Sequence, residues 1–320
     1  MDFAFALFRH FPHGGLQRDM MAIARATAAR GHAVTIYTRE WQGERPEGIA
    51  VRELPVHGWT NHGRDRRMAE QLRDDFRAHE RVVGFNKMPG LDFYYAADGC
   101  LAARYAHARV RLLPRYQSRL AMEAAVFHEH ASTEILSISP KQKVLYQHYY
   151  GTPESRFHDL PPGIGRDRVV PADYPERRRA HRQRWGLEED RRLFLFVGSG
   201  FRVKGLDRAL HAFARQSDTR AVFFVVGEDA CQAYRRLARK LAVADRVYFL
   251  GGQDDVPAWL WSADVLLHPA YQENTGTVLL EAAVAGLPVV TTSACGYADW
   301  IRQSGMGQVL DAAEVSTETL

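Results

Sequence analysis

Short apolar runs alternate with amphipathic helical stretches, and the alternation runs twice along the chain. No other feature narrows the choice of fold so far. A strand buried on both faces reads as an unbroken apolar run, and a helix must carry the chain back before the next parallel strand can form. In the first half "FAFALF" (3–8), "AVTIYT" (33–38), "RVVGF" (81–85), "FYYAA" (93–97) and "EILSIS" (134–139) read as strands. Residues 16–30, a basic stretch from about 102 to 129, and residues 140–150 read as helices. Leu16, Met20, Ile23 and Ala24 share one stripe of the first helix, and Gly31 stops it. In the second half strands are expected at 193–198, 221–226, 246–250, 264–268 and 288–291, with helices at 205–216, 229–243, 255–262 and 277–286. Between the halves, "FHDLPPGIGRDRVVPADYPERRR" is rich in Pro, Gly and Arg and reads as a linker. The expectation is an α/β chain of two doubly wound domains, 1–163 and 164–320. Sheets of this kind bind ligands outside the carboxyl ends of their strands.

Composition bounds the chemistry. With 320 residues, 46% hydrophobic and 25% charged, the chain has material for two cores. Its net charge of +4 favours an anionic partner without demanding nucleic acid, and none is expected. Cys100, Cys231 and Cys295 lack metal-ligand spacing and read as free thiols of a reducing compartment. The N-terminus, with Asp2 and a brief apolar run, does not read as a leader. No stretch approaches the roughly 18 apolar residues of a membrane span. A cytoplasmic protein, soluble or peripheral to a membrane, is expected.

Three loops invite a ligand. Gly14 and Gly15 follow the first strand and precede the first helix. Bare backbone there lets a ligand approach, and a helix N-terminus offers N–H groups to negative charge. A tight turn alone would use the same residues. "VGSGFRVKGLDRAL" (197–210) repeats the arrangement and adds Arg202 and Lys204, a pair suited to a diphosphate. A solvated basic turn is the plain alternative. Lys204 is followed by Gly205 and Leu206, which excludes a Walker loop, and neither half holds a third glycine in dinucleotide register. The third loop is the most informative: "HPAYQENTGTVLLEAAVAGLPVVTT" (268–292). Glu273 stands before a helix opened by Gly276, and Glu281 stands inside it, so both carboxylates can face one ligand across the helix start. Carboxylates accept from sugar hydroxyls, and the N–H groups of Thr277, Val278 and Leu279 suit a phosphate.

That last string resembles the E-x7-E motif of the retaining GT-B glycosyltransferases of family 4. "FPHGGLQRDM", "TNHGR" (60–64), "VGFNKMPGLD" (83–92), "LPPGI" (160–164) and "HPAYQENTGTVLLEA" together resemble one branch, which adds the first hexose to heptose I of the lipopolysaccharide inner core. The resemblance spans nearly the whole chain. It implies a GT-B fold, with two Rossmann-like domains facing a central cleft, and a UDP-sugar as co-substrate. It places Gly14 and Gly15 close to the donor diphosphate, Lys204 on phosphate, Glu273 on the transferred sugar and Glu281 on the ribose. Ser199 stands where the family carries an arginine, so Arg202 or Arg168 is expected to substitute. Asp19 and Asp98, read as strand-end residues, are candidates beside the acceptor. Chains of this family finish with helices that cross back to the first domain; this one stops at Leu320, and a shortened tail is expected.

The chemistry follows from a nucleotide diphosphate leaving group that gains negative charge. No Asp-x-Asp pair is present for a divalent ion, so Arg202, Lys204 and the helix start at Gly276 are expected to act without a metal. No cofactor is expected. A retaining route through a covalent intermediate needs a carboxylate at the reacting face of the sugar, and none stands out. The resemblance implies the other route, same-face attack in which the departing phosphate helps deprotonate the acceptor hydroxyl and no side chain is the nucleophile. UDP-glucose is the family's usual donor; Asn274 and Thr275, polar and larger than the small residues often found there, keep galactose-type and N-acetylated donors open. Arg104, Arg109, Arg111, Arg115 and Arg119 interleave with Tyr105, Leu112, Leu113, Tyr116 and Leu120, a pattern that suits an anionic bilayer. The same pattern also suits a solvated helix with one packed face. A lipid-anchored acceptor would bring the enzyme to the cytoplasmic face of the inner membrane. Two other readings compete. A dinucleotide oxidoreductase lacks its glycine fingerprint here. A nucleotide-sugar-binding protein without catalysis leaves the basic stretch unexplained.

Overall fold

The computed structural model describes residues 1–12, 14–106 and 112–315. His13, Arg109 and Arg111 therefore lie outside the described residues. The chain divides into two units, Met1–Pro161 and Pro162–Leu320.

The first unit runs β1 (Asp2–Ala6), α1 (Gly15–Ala28), β2 (Ala33–Thr38), β3 (Ala50–Glu53), α2 (Asn61–Phe76), β4 (Arg81–Gly84), β5 (Phe93–Ala96), α3 (Leu101–Arg104), α4 (Pro114–Phe127), β6 (Glu134–Ser137), α5 (Pro140–Tyr150) and β7 (Phe157–Asp159). All pairings are parallel, in the order β3-β2-β1-β4-β5-β6-β7. Side chains alternate across the sheet. Ala4 and Ala6 of β1 enter the core beneath α2, α4 and α5, whereas Phe5 and Leu7 enter the opposite core beneath α1. Two covered faces explain why the strands read as continuous apolar runs.

The second unit runs α6 (Tyr174–Arg184), β8 (Leu193–Val197), α7 (Leu206–Ala214), β9 (Val222–Val226), α8 (Gln232–Lys240), β10 (Val247–Gly251), α9 (Val256–Ser262), β11 (Val265–His268), α10 (Thr277–Val284), β12 (Val289–Thr292), α11 (Ala298–Ser304) and β13 (Gly307–Leu310). Its sheet is also parallel, ordered β10-β9-β8-β11-β12-β13. Leu195 and Val197 of β8 fill one core, and Phe196 fills the other. In each unit the strand order reverses direction beside the first strand, at β1/β4 and at β8/β11. A crevice forms at such a switch point.

The expected linker is corrected. Its first three residues are β7, and its end is the start of α6. The basic stretch is two helical pieces, α3 and α4, with Pro114 opening the second. Among the described residues no helix is long and apolar enough to cross a membrane. The three cysteines are free thiols, and burial pushes Cys100 and Cys295 up to about 11.

Candidate active site

The second unit gathers its polar groups at the β8/β11 switch point. β8 ends in a glycine-rich loop, and two of those glycines have positive φ: Gly198 at 134° and Gly200 at 78°. A side chain at Gly198 would stand 2.9 Å from Lys204 Cδ, so bare backbone there leaves room for the lysine. Gly205, at φ 75°, caps α7 and lies against the Pro269 carbonyl, where no Cβ fits. The loop after β11 is stitched to it: Tyr271 and Gln272 donate their N–H groups to the Val203 carbonyl at 2.9 and 3.2 Å. These ties bring Lys204 Nζ onto the Glu273 carboxylate.

Glu273 is largely buried. Burial by itself raises a carboxyl, but His268, whose Nε2 stands 3.5 Å from Glu273 Oε2, and the Lys204 ammonium outweigh it and hold Glu273 at about 2. His268 is wholly buried at the end of β11, and burial pulls its imidazole below the usual range. The sequence marked His268 only as a strand end; a buried imidazole beside an ionised carboxylate is a tertiary fact with no local signal. The Glu273 carbonyl accepts from Gly296 N–H at 3.2 Å and the Thr275 carbonyl from Tyr297 N–H at 2.7 Å. Asn274 and Thr275 are thus held on the loop that follows β12, both half-buried.

Gly276 caps α10 in the left-handed conformation, φ 81°, and brings no side-chain acceptor. The first-turn N–H groups of Thr277 and Val278 are left for solvent or a ligand. Leu279 is a correction: its N–H donates to the Gly276 carbonyl at 2.9 Å and its side chain is 0% exposed in the core, so it offers nothing to phosphate. Glu281 is buried one turn further in, and Arg168 Nε approaches it to 4.0 Å. Arg168 also pairs with Asp167 at 3.1 Å, and its Nη1 is a buried donor with no hydrogen-bond partner. Arg202 is exposed and turned elsewhere. It lines a cavity of about 700 Å³ with Asp207, Tyr234, Tyr271 and Gln272, and none of Lys204, Glu273 or Glu281 lines that cavity. Of the two arginines considered in place of Ser199, the fold brings Arg168 to the E-x7-E segment.

In the first unit Gly14 and Gly15 open α1 just past β1. Gly14 has ordinary backbone, φ −87°, and its bareness serves packing: a Cβ would collide with the Gln17 side chain, which holds the Arg9 carbonyl at 3.0 Å. Gly15 faces open space. Asp19 is not at a strand end, because it sits in the second turn of α1 and accepts from the Tyr95 hydroxyl at 3.1 Å. Burial raises its carboxyl against that bond and Arg18. Asp98 follows β5 at the carboxyl edge and reaches solvent.

Comparison with known proteins shows the family and the fold. Residues 13–168 match Glycosyltransferase Family 4, and residues 177–317 match Glycosyl transferases group 1. The lipopolysaccharide glucosyltransferase WaaG of Escherichia coli K12 is 44% identical over 97% of this chain and 85% of its own length. A crystal structure of WaaG superposes with a TM-score of 0.95 and 43% identity, covering 99% of this chain and 87% of that one. A D-inositol 3-phosphate glycosyltransferase of Streptomyces scabiei is 27% identical over 92% of this chain and 74% of its own.

Proposed function

Because this chain belongs to glycosyltransferase family 4, with the GT-B fold, we propose that it moves a hexose from a UDP-sugar to heptose I of the lipopolysaccharide inner core. Anomeric configuration is retained, and no metal ion takes part. One observation carries the reading: Lys204, ionised Glu273, the uncapped start of α10 and the Arg168–Glu281 pair all meet at the switch point of the second unit.

Negative charge grows on the departing diphosphate. Lys204, Arg168 and the Thr277 and Val278 N–H groups supply fixed positive potential there, the role a divalent ion fills in other enzymes. Glu273, kept ionised by its neighbours, accepts from hydroxyls of the transferred sugar. Glu281 accepts from the ribose. No carboxylate is assigned as nucleophile; the leaving phosphate takes the acceptor proton on the same face, and the protein contributes position and charge. Asp98 and Asp19 serve the acceptor from the first unit. The acceptor is lipid-anchored, and the surface around α3 and α4 meets anionic lipid at the cytoplasmic face of the inner membrane.

A panel of UDP-sugars read by thermal shift, followed by transfer to heptose-terminated inner core with and without EDTA, tests this. UDP-glucose or a galactose-type or N-acetylated relative should stabilise the protein, and chelation should leave transfer intact. A flat panel, or activity lost in EDTA and restored by manganese, overturns the reading. Glu281→Ala should weaken UDP itself about tenfold or more, as expected for a lost charged hydrogen bond. Glu273→Ala should leave UDP affinity nearly unchanged and depress transfer.

A further inference from the structure

A second buried carboxylate lies in the first unit, whereas the donor groups belong to the second. Glu123, on α4, is 0% exposed. It accepts from Lys87 Nζ, from the Tyr150 hydroxyl at 2.8 Å, and from the N–H groups of Leu101 and Ala102 at 2.8 and 2.9 Å. Lys87, itself buried, also donates to the Gly99 carbonyl at 2.8 Å. From α5, the Gln142 side chain accepts from Cys100 N–H at 2.8 Å, and the Tyr146 hydroxyl donates to the Asp98 carbonyl at 2.7 Å. Five consecutive residues, 98 to 102, thus each have a backbone atom held by a side chain from another part of the unit.

Such a site is expensive. Each buried ion costs several kcal/mol in desolvation, and well-packed apolar residues would give stability as good or better. The network therefore calls for a reason beyond stability, and the turn it grips supplies one, since Asp98 is its first residue and opens onto the carboxyl edge of the sheet.

We propose that Glu123 and Lys87 are positioning residues of the acceptor half, clamping the 98–102 turn so that Asp98 is aimed at the incoming hydroxyl. This rests on the acceptor role given to Asp98 above. The protein packed around it raises the Asp98 carboxyl; Lys87 opposes that by charge, Glu123 adds to it, and Arg119, one helical turn before Glu123, opposes it, so the clamp reaches Asp98 both through the backbone of its turn and through charge.

The test compares wild type with Glu123→Gln and with Glu123→Gln/Lys87→Met. The double variant leaves no uncompensated buried charge and keeps the fold if the single one loses it. Both donor quantities, UDP affinity and the KM for UDP-sugar, should stay within about twofold, because their groups sit in the other unit. Transfer kcat to heptose-terminated inner core should fall about 100-fold, the scale of a 1 Å misplacement. Full transfer by the folded double variant overturns the proposal. So does a loss of UDP affinity in step with the rate, which marks a general structural role. Wild type that binds UDP yet transfers nothing sinks the functional reading and this inference with it; wild-type transfer matched by the variants sinks this inference alone.

Discussion

At the scale of single residues, Glu273 shows how neighbours decide a side chain's state. Burial raises its carboxyl, and His268 and Lys204 together reverse that and set it at about 2. The ordinary value is 4.5. A carboxyl lowered by folding adds stability that is whole above its unfolded value and is lost as pH falls through the folded one. Melting temperature should therefore drop between pH 4.5 and about 2 more steeply in wild type than in Glu273→Gln. Equal slopes in the two proteins would refute the coupling. That Lys204, Glu273 and Glu281 stand about helix starts was legible in the sequence, because such spacing is a local property. Leu279 was misjudged because the helix consumes its N–H within the first turn. Nothing local marks Glu123; its burial and its grip on residues 101 and 102 depend on how α3, α4 and α5 pack.

At the scale of elements, the site is built by loops that glycine alone allows. Gly205 and Gly276 cap α7 and α10 in the left-handed region. Gly296 has no Cβ because the Asn274 carbonyl occupies that place. Gly296→Ala should push the 273–275 segment off its support, lower the melting temperature by about 5 °C or more and weaken UDP binding. An unshifted melt with normal binding would show the loop to be pliant. Most strands were legible because burial on both faces forbids polar residues. The missed elements break that rule. β3 is an edge strand with a largely exposed pattern, and β7 has only three residues. α2 is crowded with charge and buries just Met68, Ala69, Leu72 and Phe76. α6 buries Arg182, whose guanidinium serves the carbonyls of Ser262, Glu188 and Arg191 and replaces an apolar stripe.

At the scale of the whole molecule, a mild positive excess is less telling than where apolar surface is left bare. Leu112 is 68% exposed and Leu113 49%, directly before α4 with its exposed Arg115 and Arg119. Burying two leucines in a bilayer interface is worth about 3 kcal/mol, and basic side chains add a salt-dependent pull. Leu112→Glu/Leu113→Glu should cut binding to vesicles containing phosphatidylglycerol about 100-fold and leave UDP binding alone. Undiminished vesicle binding would refute a lipid contact through this surface.

The position of β1 carries a consequence of its own. It pairs with β2 on one side and β4 on the other, so the earliest strand of this unit forms the middle of the sheet, not its margin. That sheet stays a set of loose halves until Arg81–Gly84 arrives. Removing β1 would unzip the lobe from within, whereas β3, at the rim, is the strand whose absence the rest could survive.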